Sequence, residues 1–197
     1  TIGARTKRSL CALVAAGAMA VGATLPAAAE DTIELRFSSP LPESMGLSQG
    51  VEWWANEVES RTNGRVNVET FHGGSLLGAV DTLAGLQDGR IQLGYMTAGY
   101  WPAQFPLWNA VGVPFLTSDP EADMRAWASL YESNDMLKAE YENAEVIPLF
   151  YFALSQTVFG TSKEVGSADD LDGKRLRAIG YIAEGLRSVG AEPVALS

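Results

Sequence analysis

Asn63-Gly64-Arg65-Val66-Asn67-Val68-Glu69-Thr70-Phe71 is the stretch on which the fold turns. Asn63-Gly64 reads as a helix stop, because both residues tolerate the left-handed backbone that ends a helix. Arg65 to Phe71 then alternates with the period of a half-buried strand. Working backwards, Val51, Trp54, Ala55 and Val58 form an apolar stripe at helical spacing between Gly46 and Thr62. Before it, Ser38-Ser39-Pro40-Leu41-Pro42-Glu43-Ser44 breaks a first strand, Ile33 to Phe37, and caps the helix. Working forwards, Gly73-Gly74-Ser75 turns into a second helix with Leu76, Leu77, Val80, Leu83, Ala84 and Leu86 apolar. Asp88-Gly89 closes that helix, and Ile91 to Met96 is a third strand. Strand, helix, strand, helix, strand with short links predicts a parallel sheet of an α/β protein.

Thr97 to Trp108 is rich in aromatics and holds two prolines, so it is neither a helix nor a central strand. It is either a clamp on the core or the wall of a pocket. Ser118 to Glu145 reads as helix interrupted near Ser133-Asn134, Ile147 to Leu154 as a buried strand, and Thr157 to Thr161 as another. Ser162 to Asp170 reads as a loop or short helical turn, with Asp169 and Asp170 as a helix start. After the Asp172-Gly173 turn, Lys174, Leu176 and Ala178 share one strand face and Arg175 and Arg177 the other. Gly180 ends that strand, and Ile182, Ala183, Leu186 and Val189 mark a helix running to Gly190. Ligands of open α/β sheets bind beyond the carboxyl ends of the strands, where the planar fork of an arginine suits an anion. The competing reading is a solvated basic edge strand. Beginning at Thr1 and stopping at Ser197 as a new strand starts, the chain reads as a fragment.

Residues 1–29 read as a secretory signal peptide. Arg5, Lys7 and Arg8 precede an uncharged run, and Ala27-Ala28-Ala29 offers a cleavage site. The run is short and broken by Gly17, Gly22 and Pro26, which argues against a membrane anchor, and no later segment is apolar enough to span a bilayer. Cys11, the only cysteine, lies ahead of most of the apolar run, which argues against a lipid anchor. Removing the signal leaves 11 basic against 24 acidic residues, a net charge of −13 that repels nucleic acid and anionic lipid. Five of those 11 bases fall in the last 35 residues, a positive region on a negative body. At 47% hydrophobic residues the chain can bury a core.

Catalytic motifs fail on context. Gly46-Leu47-Ser48-Gln49-Gly50 has the spacing of a nucleophile elbow, and His72-Gly73-Gly74 resembles an oxyanion loop. Ser48, however, begins a helix after a Pro-rich loop instead of ending a strand. His72 is the only histidine, and it cannot be both loop residue and triad base. Phosphate-loop and dinucleotide motifs are absent. One histidine without a usable cysteine makes no transition-metal cluster, and Asp169-Asp170-Leu171-Asp172 lacks the rest of a calcium loop. No cofactor or metal is called for. The residues describe an exported binding protein, not an enzyme.

In its blocks the chain resembles a known family, the periplasmic solute-binding proteins of TRAP transporters, of the DctP type. The likeness runs from residue 30 to 197. It is carried by Leu35-Arg36-Phe37, Gly64-Arg65-Val66, Leu76-Leu77-Gly78, Leu86 to Leu93, and Val113-Pro114-Phe115-Leu116. Most specific are Leu171-x-Gly173-Lys174-x-Leu176-Arg177 and Val189-Gly190-Ala191-x-Pro193-Val194. The resemblance implies two α/β lobes with parallel or mixed sheets closing on a small organic anion. Lobe I would occupy 30–154, and 155–197 would begin lobe II, incomplete in this fragment. It also implies that Arg177 grips the substrate carboxylate and that membrane permease subunits receive the ligand. Contacts that sialic-acid-binding members make elsewhere fall at Pro40, at Thr97 and Tyr100, and near Gln156 or Thr157. Those residue types point to a smaller or more apolar carboxylate, with Tyr100, Trp101 and Gln156 lining the remaining walls. Readings of another kind are an ABC-type receptor and an exported serine esterase.

Overall fold

The computed structural model describes residues 32–113, 118–152 and 158–196. Two parallel sheets organise it. In the first, β1 (Ile33–Ser38) is central, flanked by β2 (Val66–Phe71) and β3 (Leu93–Gly94). The register runs from Ile33 opposite Val66 to Ser38 opposite Phe71, with Phe37 and Ser38 opposite Leu93 and Gly94. In the second sheet β4 (Arg175–Arg177) pairs with β5 (Glu192–Val194). Parallel strands need crossovers. These are α1 (Gly46–Arg61) between β1 and β2, α2 (Thr82–Gln87) between β2 and β3, and α5 (Gly180–Ser188) between β4 and β5.

Helix α1 buries Val51 and Ala55 against Phe37 and Val68, the inward side chains of β1 and β2. It stops where the sequence said it would. Asn63 and Gly64 have φ of 53° and 77°, and the Gly64 amide reaches back to the Glu59 carbonyl at 2.9 Å. Thr62 then ties helix to strand, its hydroxyl donating to Val58 O and accepting from the Val66 amide.

The second core lies under the aromatic loop. Phe105, fully buried, stacks edge-on against Trp108 and Tyr141, and Trp101, Trp127 and Leu137 close around it. Helices α3 (Pro120–Ser133) and α4 (Asp135–Asn143) supply one wall. Asn134 separates them as expected, its side chain capping α4 through the Met136 and Leu137 amides. Glu140 of α4 is buried, and its carboxylate accepts from the Leu107 and Trp108 amides at 2.5 and 3.0 Å. That bond fastens the aromatic loop to the helix.

Four expectations need correction. The second helix begins only at Thr82, after a 3-10 turn at Ala79–Asp81, because Gly78 is extended and Leu77 packs its side chain against Gly85. The third strand is reduced to Leu93–Gly94. Gln92 still bonds Arg36 through both backbone and side chain, but Ile91 turns inward, 1% exposed, beside Gly85. In the described part of the expected 147–154 strand, residues 147–152, no strand forms, and Ile147 and Leu149 are 74% and 56% exposed. A buried strand needs ladder partners for its amides and carbonyls. Here Phe150 and Phe152 instead dock as single rings on Trp54 and Tyr95. Residues 158–161 form no strand either. Glu140→Ala should leave two part-buried amides without their carboxylate partner and destabilise the protein by about 1–2 kcal/mol, read as a fall in the urea midpoint with an unchanged slope.

Candidate functional site: the carboxyl ends of β3, β4 and β5

Arg175 and Arg177 project from the same face of β4, and Leu176 packs inward with Ala178, Ala183 and Leu186. The two arginines then part company. Arg177 reaches over to the turn that follows β3, its Nη2 donating to the Tyr100 hydroxyl at 2.8 Å. Its Nε donates to the carbonyl of Leu196, just past β5, at 3.1 Å. Arg175 makes no hydrogen bond among the described residues. The carboxyl ends of three strands therefore converge on one exposed guanidinium, where α/β sheets place their ligands.

The Arg177 environment is unusual in this chain. Arg61, Arg90, Arg125 and Arg187 are each paired with a nearby carboxylate, from Glu57, Asp88, Glu121 and Glu184 respectively. Arg177 is held by two neutral oxygens. Hydrogen bonds to a carbonyl and a phenol fix the side chain without neutralising it, so its charge stays available to an anion.

Tyr100 is itself fixed from behind. It closes a 3-10 turn, Ala98–Tyr100, whose Ala98 carbonyl accepts from the Asn109 side chain at 2.9 Å. Asn109 is buried, and its amide also donates to Phe105 O at 2.9 Å. Trp101 is 8% exposed within the aromatic core and meets the Tyr100 ring edge-on, centroids 5.9 Å apart. It therefore stands behind Tyr100. Gly99 lies against the start of α5, where a Cβ would come within 2.8 Å of Ile179 and 3.2 Å of the Gly180 amide. Gly180 has φ of +57°, and its own Cβ would meet Asn109 Oδ1 at 2.8 Å and Gly99 Cα at 3.1 Å. Two glycines thus let the turn and the helix touch backbone to backbone.

Thr97 sits elsewhere. It lines a cavity of about 920 Å³ with Tyr95, Phe150, Phe152, Phe159 and Ile182. Burial pushes the Tyr95 phenol above its ordinary range, opposed by a hydrogen bond with Thr97. The cavity is mainly apolar, and among its described lining residues the ionisable side chains other than tyrosine are Asp123 and Glu145, with no cation. An organic anion would find no counter-charge there, so size does not make it the anion site. Gln156 and Thr157, and most of the Val113 to Leu116 block, lie outside the described residues.

A smaller pocket of about 380 Å³ opens beyond β2, lined by Glu43, Glu52, Thr70, His72 and Ser75. Glu52 Oε1 accepts from the Thr70 hydroxyl at 2.5 Å and stands 2.7 Å from His72 Nε2. The Thr70 hydrogen bond, followed by His72, holds the Glu52 carboxyl below the usual carboxylate range. Ser48 is 1% exposed inside α1 and makes no hydrogen bond among the described residues, so an ester could not reach it. Among the described residues no cluster of His, Cys, Asp or Glu is placed to hold a metal, and no helix is long and apolar enough to cross a membrane. The acidic turn behaves as expected, Asp170 accepting from the Gly166 and Ser167 amides to start Ala168–Leu171.

The two parallel sheets thus bring a charged, neutrally held guanidinium to their carboxyl ends. Residues 37–197 match the bacterial extracellular solute-binding proteins, family 7 (DctP), and the chain belongs to that family. It is 27% identical, over 80% of its length, to a monocarboxylate 2-oxoacid-binding periplasmic protein of Nostoc sp., covering 43% of that relative. It also matches the open form of a TRAP periplasmic solute-binding protein from Desulfovibrio salexigens, 31% identical with a TM-score of 0.62, over 84% of this chain and 50% of that one. A marine metagenome TRAP solute-binding protein specific for aromatic acids, solved with 3-hydroxybenzoate, is 25% identical with a TM-score of 0.73, over 84% and 52% of the two chains. The chain thus spans about half the length of the relatives it matches. The architecture is the α/β fold of the two-lobed periplasmic binding proteins, and family members are solute receptors rather than enzymes.

Gly180→Ala should cost about 1–3 kcal/mol, because it strains a positive φ and forces apart Asn109 and Gly99. The measurement is the thermal midpoint beside that of Gly112→Ala, where a Cβ meets nothing within 4 Å. Glu52 gives a pH prediction. Because its folded pKa lies below the ordinary 4.5, its contribution is complete above that value and is lost as pH falls through the lowered one. Glu52→Gln should therefore flatten the acid limb of a stability-against-pH curve below about pH 4.5, read from thermal midpoints across acid pH.

Proposed function

We propose that the chain is part of the solute-binding subunit of a TRAP-type secondary transporter, which captures a small organic carboxylate in the periplasm and delivers it to membrane permease subunits. Residues 1–29 direct export, 30–154 build most of the first lobe and 155–197 begin the second. The observation that carries this reading is the exposed Arg177 guanidinium, bound by Tyr100 and Leu196 and by no carboxylate among the described residues. An arginine held in this way offers its charge to a guest. The names of the relatives support a small organic acid, since one binds monocarboxylate 2-oxoacids, another aromatic acids and a third C4-dicarboxylates. Tyr100, backed by Trp101, forms one wall, and the residue types at Thr97, Gln156 and Thr157 are neutral. The phenol and the neutral residues at these positions favour a compact or partly apolar acid over sialic acid.

Closure of the lobes strengthens the ion pair by excluding water. Removing one partner of a buried pair costs roughly 3–5 kcal/mol. In the full-length protein, Arg177→Ala should weaken binding by at least about a hundredfold, measured by calorimetry with the best acid from a thermal-shift panel of pyruvate, 3-hydroxybenzoate, L-malate and sialic acid. Arg175→Ala is the matched control and should bind as the parent does. An Arg177→Ala protein with unaltered affinity would reject the reading.

A further inference from the structure

A guanidinium offers two planar forks, one from Nε and Nη2 along its side and one from Nη1 and Nη2 at its end. In Arg177 the side fork is already engaged. Nε meets Leu196 O at 3.1 Å, Nη2 meets the Tyr100 hydroxyl at 2.8 Å, and those two oxygens stand only 3.5 Å apart. That spacing puts both oxygens on the same edge of the guanidinium. An oxygen bonded to the end-facing hydrogen of Nη2 would lie well away from the Nε partner. The Leu196 carbonyl and the Tyr100 phenol thus sit side by side, as the two oxygens of a carboxylate would. The end fork, with both Nη1 hydrogens and the second Nη2 hydrogen, has no partner among the described residues.

We propose that Tyr100 is the positioning residue of the anion site, holding the side fork of Arg177 so that a ligand carboxylate is received at the end fork, through Nη1 and Nη2. This rests on Arg177 being the carboxylate-binding group, and it deepens that reading by assigning the approach. An unrestrained arginine loses rotamer freedom when it grips a ligand. Tethered by two hydrogen bonds, Arg177 has met much of that cost on folding, and binding gains accordingly. The chain of support is continuous. Asn109 holds the Ala98 carbonyl, Trp101 backs the phenol ring, and Gly99 seats the turn against α5, so the hydroxyl has a fixed position from which to accept. Both tethering oxygens are uncharged, so the arginine is aimed without being neutralised.

Tyr100→Phe removes the hydroxyl and keeps the ring on Trp101. The test uses nitrogen-15 relaxation of arginine side chains in the full-length, ligand-free protein. The heteronuclear NOE of the Arg177 Nε should be near that of rigid backbone in the parent and should drop to the level of Arg175 in Tyr100→Phe. An Arg177 as mobile as Arg175 in the parent, or one unaffected by the substitution, overturns the proposal. A double-mutant cycle with Arg177→Lys, which lacks both forks, gives the second readout. Tyr100→Phe should weaken pyruvate or 3-hydroxybenzoate binding roughly tenfold beside Arg177 and have no further effect beside Lys. An equal loss in both backgrounds would make Tyr100 a direct ligand contact and overturn the positioning role. Should no acid of the four-member panel bind the parent while the relaxation change is seen, the carboxylate reading fails and the tether stands.

Discussion

The contact between Gly99 and Gly180 is the constraint on which the site depends. No other residue pair allows the turn after β3 to press on the first residue of α5, because each Cβ would collide with the opposite backbone or with Asn109. That approach carries the second sheet's carboxyl edge to the turn, and residues 77 apart in sequence then share a hydrogen bond. The positive φ of Gly180 also turns the chain sharply out of β4, so that α5 starts beside the strand end. Local conformation, long-range packing and the placement of the cation are thus settled at one point.

What the sequence made legible was mostly what local physics decides. Alternation in Val66–Phe71 and the Asn63-Gly64 stop are read from a few neighbouring residues, and the register with β1 follows from burying Phe37 and Val68 under Val51 and Ala55. The break between α3 and α4 was visible for the same reason, since a cap is a local hydrogen bond. The apolar run at 147–152 was misread because its composition suits a strand, while strand formation depends on a neighbour that composition does not report. The second helix was drawn too long for a related reason. Leu76 has helical spacing to Leu83 and Leu77 to Val80 and Ala84, but Leu77 is spent packing against Gly85 from an extended stretch.

The candidate site divides along the same line. Arg177 stood out because strand alternation and a charge at a strand end are both sequence properties. Its distinction from Arg175, two residues earlier on the same face, is tertiary, and only the resemblance to a family separated them in advance. Asn109 gave no signal, for a polar residue in an aromatic loop reads as solvated, yet it is 4% exposed and holds the turn. The Leu196 contribution is a backbone carbonyl, which no side-chain pattern encodes. Trp101, expected to line a wall of the site, is instead 8% exposed in the aromatic core and backs the Tyr100 ring, so the loop is a clamp as well as a support for Tyr100.

Charge explains why that support is built of neutral groups. Beyond residue 29 the chain carries 24 acidic residues against 11 basic ones, so a carboxylate partner for Arg177 would be easy to supply. Four other arginines have one, on the exposed surface, where such pairs contribute little stability. A carboxylate at Arg177 would compete with any anionic ligand for the same fork, and binding would then exchange one ion pair for another. A phenol and a carbonyl avoid that competition, because dipoles orient the guanidinium and leave its charge unspent.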